Sequence, residues 1–242
     1  MESDCSSPDT YLGIGLYSFP EAARIIGVKP PTLRRWAKEY RYTSRGTPYL
    51  HQPVVPRYFG ANDSPLSFVE LIELLFVKMF RAEGVSMPAI RMASHRAVER
   101  FDTPYPFAVQ RFDTDGKSIF ATLGEESGNQ GMVEDLTRGQ LAFDTVIRTL
   151  FRKLDYRGNS DALRFWPLEH DGRIVLDPER GFGKPIDAET GVPTEALFDA
   201  VTAGKGQSHT EVAAWFDVPI AAVEAAVTYE RMLSEEFSPL AA

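Results

Sequence analysis

Apolar positions in the first hundred residues recur at helical spacing. Ser18 precedes Ala22, Ala23, Ile25 and Ile26, and Glu21 stands three residues after it, the spacing of a capping box. Pro20 fits the first turn, where its missing N–H has no intrahelical partner. Gly27 follows as a left-handed C-cap. Pro30 and Pro31 then open a second helix from Thr32 to about Tyr40, whose inward positions are Leu33, Trp36 and Ala37. Two short helices joined across a glycine predict a helix-turn-helix. Residues 41–60 change character. Pro and Gly break up short β-formers there, which predicts a hairpin directly after the second helix. Beyond it, Leu66, Val69, Ile72, Leu75, Phe76, Met79 and Phe80 share one wide helical face ending at Gly84. Ser86 caps a further helix with Ile90, Ala93, Ala97 and Val98 inward.

The pattern then shifts. Ala108–Asp113 and Ser118–Leu123 flank an Asp115-Gly116 pair, which predicts a β-hairpin. Gly124–Gly131 reads as a loop, and Asp144–Leu154 as a helix. Near the C-terminus, Arg173-Ile-Val-Leu-Asp177 reads as a short apolar strand. Thr194–Ala203, Thr210–Phe216 and Ile220–Leu233 read as three helices, with Val212, Trp215, Val218, Val223, Val227 and Met232 facing inward. The expected fold class is mainly α with small β-hairpins, α+β. Residues 1–15 are expected to be a disordered leader, 16–101 a winged helix-turn-helix, 102–170 a hairpin-and-helix connector, and 171–242 a three-helix unit preceded by a strand.

Charge sharpens this picture. The 242-residue chain carries a net −8, but unevenly. Residues 18–60 hold eight Lys/Arg against Glu21 and Glu39, a net of +6. Residues 173–242 hold five basic against twelve acidic residues, a net of −7. A basic helix-turn-helix beside an acidic tail points to nucleic acid at one end and a different task at the other. The expected DNA-binding set is Thr32, Arg34, Arg35 and Lys38 on the second helix, Lys29 at its turn, and Arg41, Arg45 and Arg57 on the wing. A two-fold dimer is expected on a pseudo-palindromic operator. The strand Ile174, Val175, Leu176, which the Gly183–Val192 hairpin could pair in the same chain or in the partner, and the helical positions Val223, Val227 and Met232 are the expected dimer seam, with dimerisation through the 66–101 helices as the rival.

The remaining chemistry excludes classes. Cys5 is the single cysteine, which removes a disulfide framework and a Cys-based zinc site. His51, His95, His170 and His209 are scattered, and neither a nucleophile elbow nor a phosphate-binding loop is present. Asp171 and Asp177 read as turn and strand-end residues. No catalytic residue, metal site or cofactor is expected, so the reading is a non-enzyme. No apolar run reaches the ~18 residues of a membrane span, and the first ten residues lack the features of a secretory signal. A cytoplasmic, nucleoid-associated protein is expected.

Two family resemblances follow from these residues. Tyr17-Ser-Phe-Pro-Glu-Ala-Ala-Arg, Gly27-Val, Thr32-Leu-Arg-Arg-Trp, the basic wing, Phe68-Val-Glu-Leu-Ile-Glu-Leu and Gly84-Val-Ser-Met-Pro-Ala-Ile resemble the MerR family of winged-helix regulators over about residues 16–100. The wing is longer than that family's, and its long dimerisation helix does not follow. The strand ending in Asp177-Pro178, the Gly183-Lys-Pro segment, Gly191-Val-Pro and the three helices resemble the domain-of-unknown-function family numbered 433 over about residues 172–233. Glu189-Thr-Gly replaces that family's Gly-Thr-Arg run. The combination resembles VapB-type antitoxins. It implies an autorepressing, DNA-binding antitoxin that neutralises a PIN-like nuclease. The alternative is a MerR-like regulator whose tail dimerises or senses a ligand, with no toxin partner.

Overall fold

The computed structural model describes residues 13–44, 46–60, 64–157, 162–203 and 207–235. Most of the expected leader, and Arg45 of the expected DNA-binding set, lie outside these residues. The described chain is α+β. Helices α1 (Phe19–Ile26) and α2 (Pro30–Ala37) are followed by a hairpin, β1 (Tyr40–Ser44) with β2 (Thr47–His51). Four helices come next: α3 (Phe68–Ala82), α4 (Met87–Phe101), α5 (Arg111–Glu126) and α6 (Gln130–Phe151). Strands β3 (Leu154–Tyr156), β4 (Ala162–Phe165), β5 (Ile174–Leu176) and β6 (Pro185–Asp187) form an antiparallel sheet in sequence order. Helices α7 (Thr194–Ala203), α8 (His209–Phe216) and α9 (Ile220–Glu235) complete the tail.

The hairpin expected over 108–123 is a helix instead. Phe112, Ile119, Phe120 and Leu123 lie on one helical face and are buried. Gly116 is not a turn residue. A Cβ there would come within 2.5 Å of the Phe143 ring and 2.6 Å of the Phe112 ring. Gly139 on α6 reciprocates, since a Cβ there would stand 2.5 Å from the Phe120 ring. Each helix thus receives a phenylalanine from the other where it has no side chain. The expected loop over 124–131 is mostly helix too, because Asn129 caps α6 through the Met132 amide. Alanine at 116 gains about 1 kcal/mol of helix propensity but must displace two buried rings. Gly116→Ala should therefore lower stability by about 1–3 kcal/mol, read from the urea midpoint; an unchanged midpoint would show that the crossing tolerates a methyl group.

One hydrophobic core runs from Tyr17 through α6 to Leu176, so the stretch after residue 101 packs on the head. Phe76, Phe80, Phe107, Phe112, Phe120 and Phe143 make its aromatic centre. A second cluster, of Leu197, Val212, Val223 and Val227, holds the tail helices together.

The expected dimer seam is corrected. Strand β5 is not an unpaired edge; it lies between β4 and β6. Ile174, Val175, Leu176, Val223 and Val227 are all buried within their own chain, and Met232 is half-buried against Ile174, Tyr229 and Leu233. Strand β6 supplies the same-chain pairing that the Gly183–Val192 segment offered, and β4 covers the other edge. Trp215, expected inside, is 71% exposed, because Val212 and Ala213 take the inward positions of α8.

The tail is latched onto the helix-turn-helix. The buried Tyr17 hydroxyl donates to the Gly183 carbonyl at 2.7 Å, and the Leu16 amide donates to the Phe182 carbonyl at 3.0 Å. Arg24 of α1 pairs with Glu230 of α9, which also accepts from the Thr194 hydroxyl. Gly183 has φ +81°, and a Cβ there would sit 2.4 Å from the Tyr17 hydroxyl, so close approach and backbone conformation both call for glycine.

Candidate nucleic-acid interface

Local rules build the helix-turn-helix. Ser18 and Glu21 form the full capping box at the start of α1. Gly27 ends the helix at φ 74°, and the Val28 amide returns to the Ala23 carbonyl. Helix α2 starts directly on Pro30 and Pro31. Leu33 and Ala37 pack fully buried in the same core as Ala22, Ala23 and Ile26, which fixes the crossing of the two helices. The Val54 amide donates to the Trp36 carbonyl and ties the segment after the hairpin back to α2.

With one stripe committed inward, the cations face out. Arg34 and Arg35 are exposed on α2, Lys29 is exposed at its N-cap, and Thr32 and Lys38 are half-exposed. They are positioned as well as exposed. The Arg34 guanidinium and the Lys38 ammonium stand 5.1 and 4.9 Å from the centre of the Phe19 ring, and Arg35 lies 5.8 Å over Tyr40. Cation–π contact of this kind restrains long side chains without neutralising them. Arg41, on β1, is exposed.

Arg57 is the correction within the expected set. Its side chain is 5% exposed. Its Nε donates to Glu70 at 2.8 Å, and one Nη donates to the Ser64 and Pro65 carbonyls at 2.7 and 3.0 Å. Glu70 is itself buried and closes the capping box of α3 with Ser67. Arg57 therefore joins the exit of the wing to α3, buried with its guanidinium 5.3 Å from the centre of the Phe19 ring, and its hydrogen bonds are spent inside the fold. Trp36, expected in the core with Leu33, is only half-buried.

The structure adds two arginines that the sequence reading passed over. A cleft of about 370 Å³ is lined by Thr32, Arg35, Trp36, Tyr40, Arg81, Met87, Pro88 and Arg91. No acid is among these lining residues. Arg91 has its Nε buried without a hydrogen-bond partner, and desolvation lowers its pKa. Arg81 donates one Nη to the Val85 carbonyl. The sequence signal was present in the cations flanking Gly84-Val-Ser-Met-Pro. The cleft forms only when α4 packs beside α2.

The geometry defines a class of protein, and comparisons with known proteins agree with it. Residues 15–94 match the family described as "Putative DNA-binding HTH domain", and residues 174–229 match "Protein of unknown function (DUF433)". The chain thus carries a DNA-binding helix-turn-helix head followed by a tail of the DUF433 type. Among individual proteins it is similar to "Putative antitoxin VapB45" of Mycobacterium tuberculosis. The two are 28% identical over 204 residues, 79% of this chain and 84% of that one. The crystal structure of Rv2018 from Mycobacterium tuberculosis shares the fold. Its TM-score is 0.69 at 23% identity, covering 89% of this chain and 99% of that one. Among the described residues, no single helix is long and apolar enough to cross a membrane.

Proposed function

We propose that this chain is a DNA-binding antitoxin. Its head recognises an operator and represses its own operon, and its tail occupies a PIN-like nuclease encoded beside it. The observation that carries the DNA half is the row of positioned, exposed cations on α2 and β1 opposite a fully buried Leu33–Ala37 stripe. Arg34, Arg35, Lys38 and Thr32 face the groove or its phosphates. Lys29, Arg41 and Arg45 extend the contact, and Arg81 and Arg91 receive a phosphate in the cleft beside α2. The similarity to an antitoxin and the opposite charge of the tail support the toxin half. A homodimer on a two-fold operator suits a single helix-turn-helix per chain, with residues 171–242 left to the toxin. The ligand-sensing alternative is less well supported. The cavity where the tail meets α1, lined by Glu21, Arg24, Lys184 and Glu230, holds about 70 Å³, well below the roughly 300–1,000 Å³ of drug-sized ligand sites.

The test is a salt titration of binding to the chain's own promoter DNA. Each phosphate contact contributes about 0.9 to the slope of log affinity against log salt. Arg34→Ala with Arg35→Ala should flatten that slope by up to ~2 units and leave the unfolding midpoint in place. An unchanged slope would defeat the assignment of α2 as the reading helix.

A further inference from the structure

The most exposed tryptophan among the described residues does not belong to the head. Trp215 is 71% exposed at the end of α8, and Ile220, 43% exposed, begins α9. Pro219, Ala214 and Ala221 beside them are exposed too. The corner between the helices is closed by its own cap. Asp217 caps α8 at φ 53°, and the Val218 amide returns to the Ala213 carbonyl. Beneath it, Val212, Ala213, Ala222 and Val223 are buried. The indole is therefore held outside a completed core on an ordered element. Exposed aromatic anchors of this kind mark interaction sites.

The surroundings specify the occupant. Glu211 lies one helical turn before Trp215, and Glu224 one turn after Ile220, so each exposed apolar residue shares its helix face with an acid. Asp217 adds a third carboxylate at the corner. The Ser208 amide and hydroxyl hold the Glu211 carboxyl below the usual carboxylate range. Residues 194–235 carry seven acids against Lys205 and Arg231. This charge repels DNA, and across a two-fold axis it would set like charges against each other in a second copy. It complements a basic protein surface.

We propose that the Trp215–Ile220 corner docks the cationic, nucleic-acid-binding face of a partner protein, with the indole filling an apolar socket and the acidic rim covering the basic groups that would otherwise hold the polyanion. The proposal rests on the antitoxin reading, in which that partner is the nuclease, and it assigns the surface responsible. Ile220 stands about 15 Å along α9 from Glu230, so docking leaves the junction with the head untouched.

The experiment uses the full-length chain and the purified nuclease encoded beside it, with promoter DNA as the folding control. Trp215→Ala should weaken nuclease binding roughly 30-fold or more, the effect of removing an interface anchor. Glu211→Gln with Glu224→Gln should reduce the salt dependence of that binding. Both variants should bind promoter DNA as the native chain does. Native and Trp215→Ala chains binding the nuclease equally would overturn the docking site and leave the antitoxin reading in place. A native chain that forms no complex would overturn both. A native oligomer that Trp215→Ala dissociates, with nuclease binding unchanged, would reassign the corner to a second copy of the chain.

Discussion

Arg57→Ala should destabilise the head by about 3–5 kcal/mol, whereas Arg34→Ala should leave its stability within about 0.5 kcal/mol. Both residues are arginines in the same basic segment, and burial separates them. Arg57 is enclosed with the fully buried Glu70, and its fork spans that carboxylate and the Ser64 and Pro65 carbonyls. Removing the guanidinium strands a buried carboxylate that also receives the Ser67 and Tyr58 amides. The penalty comes from that uncompensated charge more than from the lost attraction. Arg57→Ala combined with Glu70→Gln should therefore recover part of the loss. Urea unfolding of the four proteins checks this. Arg57→Ala unfolding at the native midpoint but binding promoter DNA weakly would return Arg57 to the phosphate-contacting set.

Arg57 also shows where sequence reading reaches its limit. Several features that depend on neighbours within about four residues were legible: the capping box at Ser18, the αL cap at Gly27, the buried stripe of α2 and the hairpin after it. The charge split between head and tail was legible as well. The choice of partner at longer range was not. A basic residue after a hairpin reads as a wing cation unless the carboxylate thirteen residues later is known to fold back on it. Asp115-Gly116 reads as a hairpin turn, yet the same glycine is required where two helices cross through phenylalanine rings. The two demands look alike in sequence, because glycine serves both a positive φ and a close approach. For strand β5 one partner was legible, the Gly183–Val192 segment that supplies β6, while β4 on its other side arrives from a stretch with no strand signal of its own. The docking corner was missed for a related reason. Tryptophan three residues after Val212 fits an inward face, and only the packed helix shows Ala213 taking that place.

Glu73→Gln should make the protein more stable than the native chain at pH 9, with the advantage shrinking as the pH falls towards 5. Glu73 lies fully buried on α3. Its Oε1 accepts the Phe107 and Ala108 amides at 2.6 and 2.7 Å, and its Oε2 is buried with no hydrogen-bond partner. Burial pushes its pKa up to about 8, and the two amides only partly offset that rise. The sign follows from proton uptake. In the unfolded chain Glu73 releases its proton near pH 4.5, while the folded chain keeps it until about pH 8. Between those values the folded state binds the extra proton, so each unit of rising pH removes about 1.4 kcal/mol of stability. The full loss is on the order of 3–5 kcal/mol and levels off above pH 8. Glutamine keeps a carbonyl oxygen for both amides and does not titrate. Every other group titrates alike in the two proteins, so the difference between their unfolding free energies at pH 5, 7 and 9 isolates this one site. The consequence reaches beyond α3. The Ala108 carbonyl accepts the Ala162 amide at the start of β4, so the loop that Glu73 holds also seats the sheet carrying the tail. Ionising Glu73 should loosen that seat before the helix-turn-helix unfolds. Hydrogen exchange at Phe107, Ala108 and Ala162 should therefore accelerate between pH 7 and 9 in the native chain beyond the intrinsic rise with pH. In Glu73→Gln it should follow the intrinsic rise alone. Identical pH dependence in the two proteins would show that the carboxyl is ionised in the fold at neutral pH.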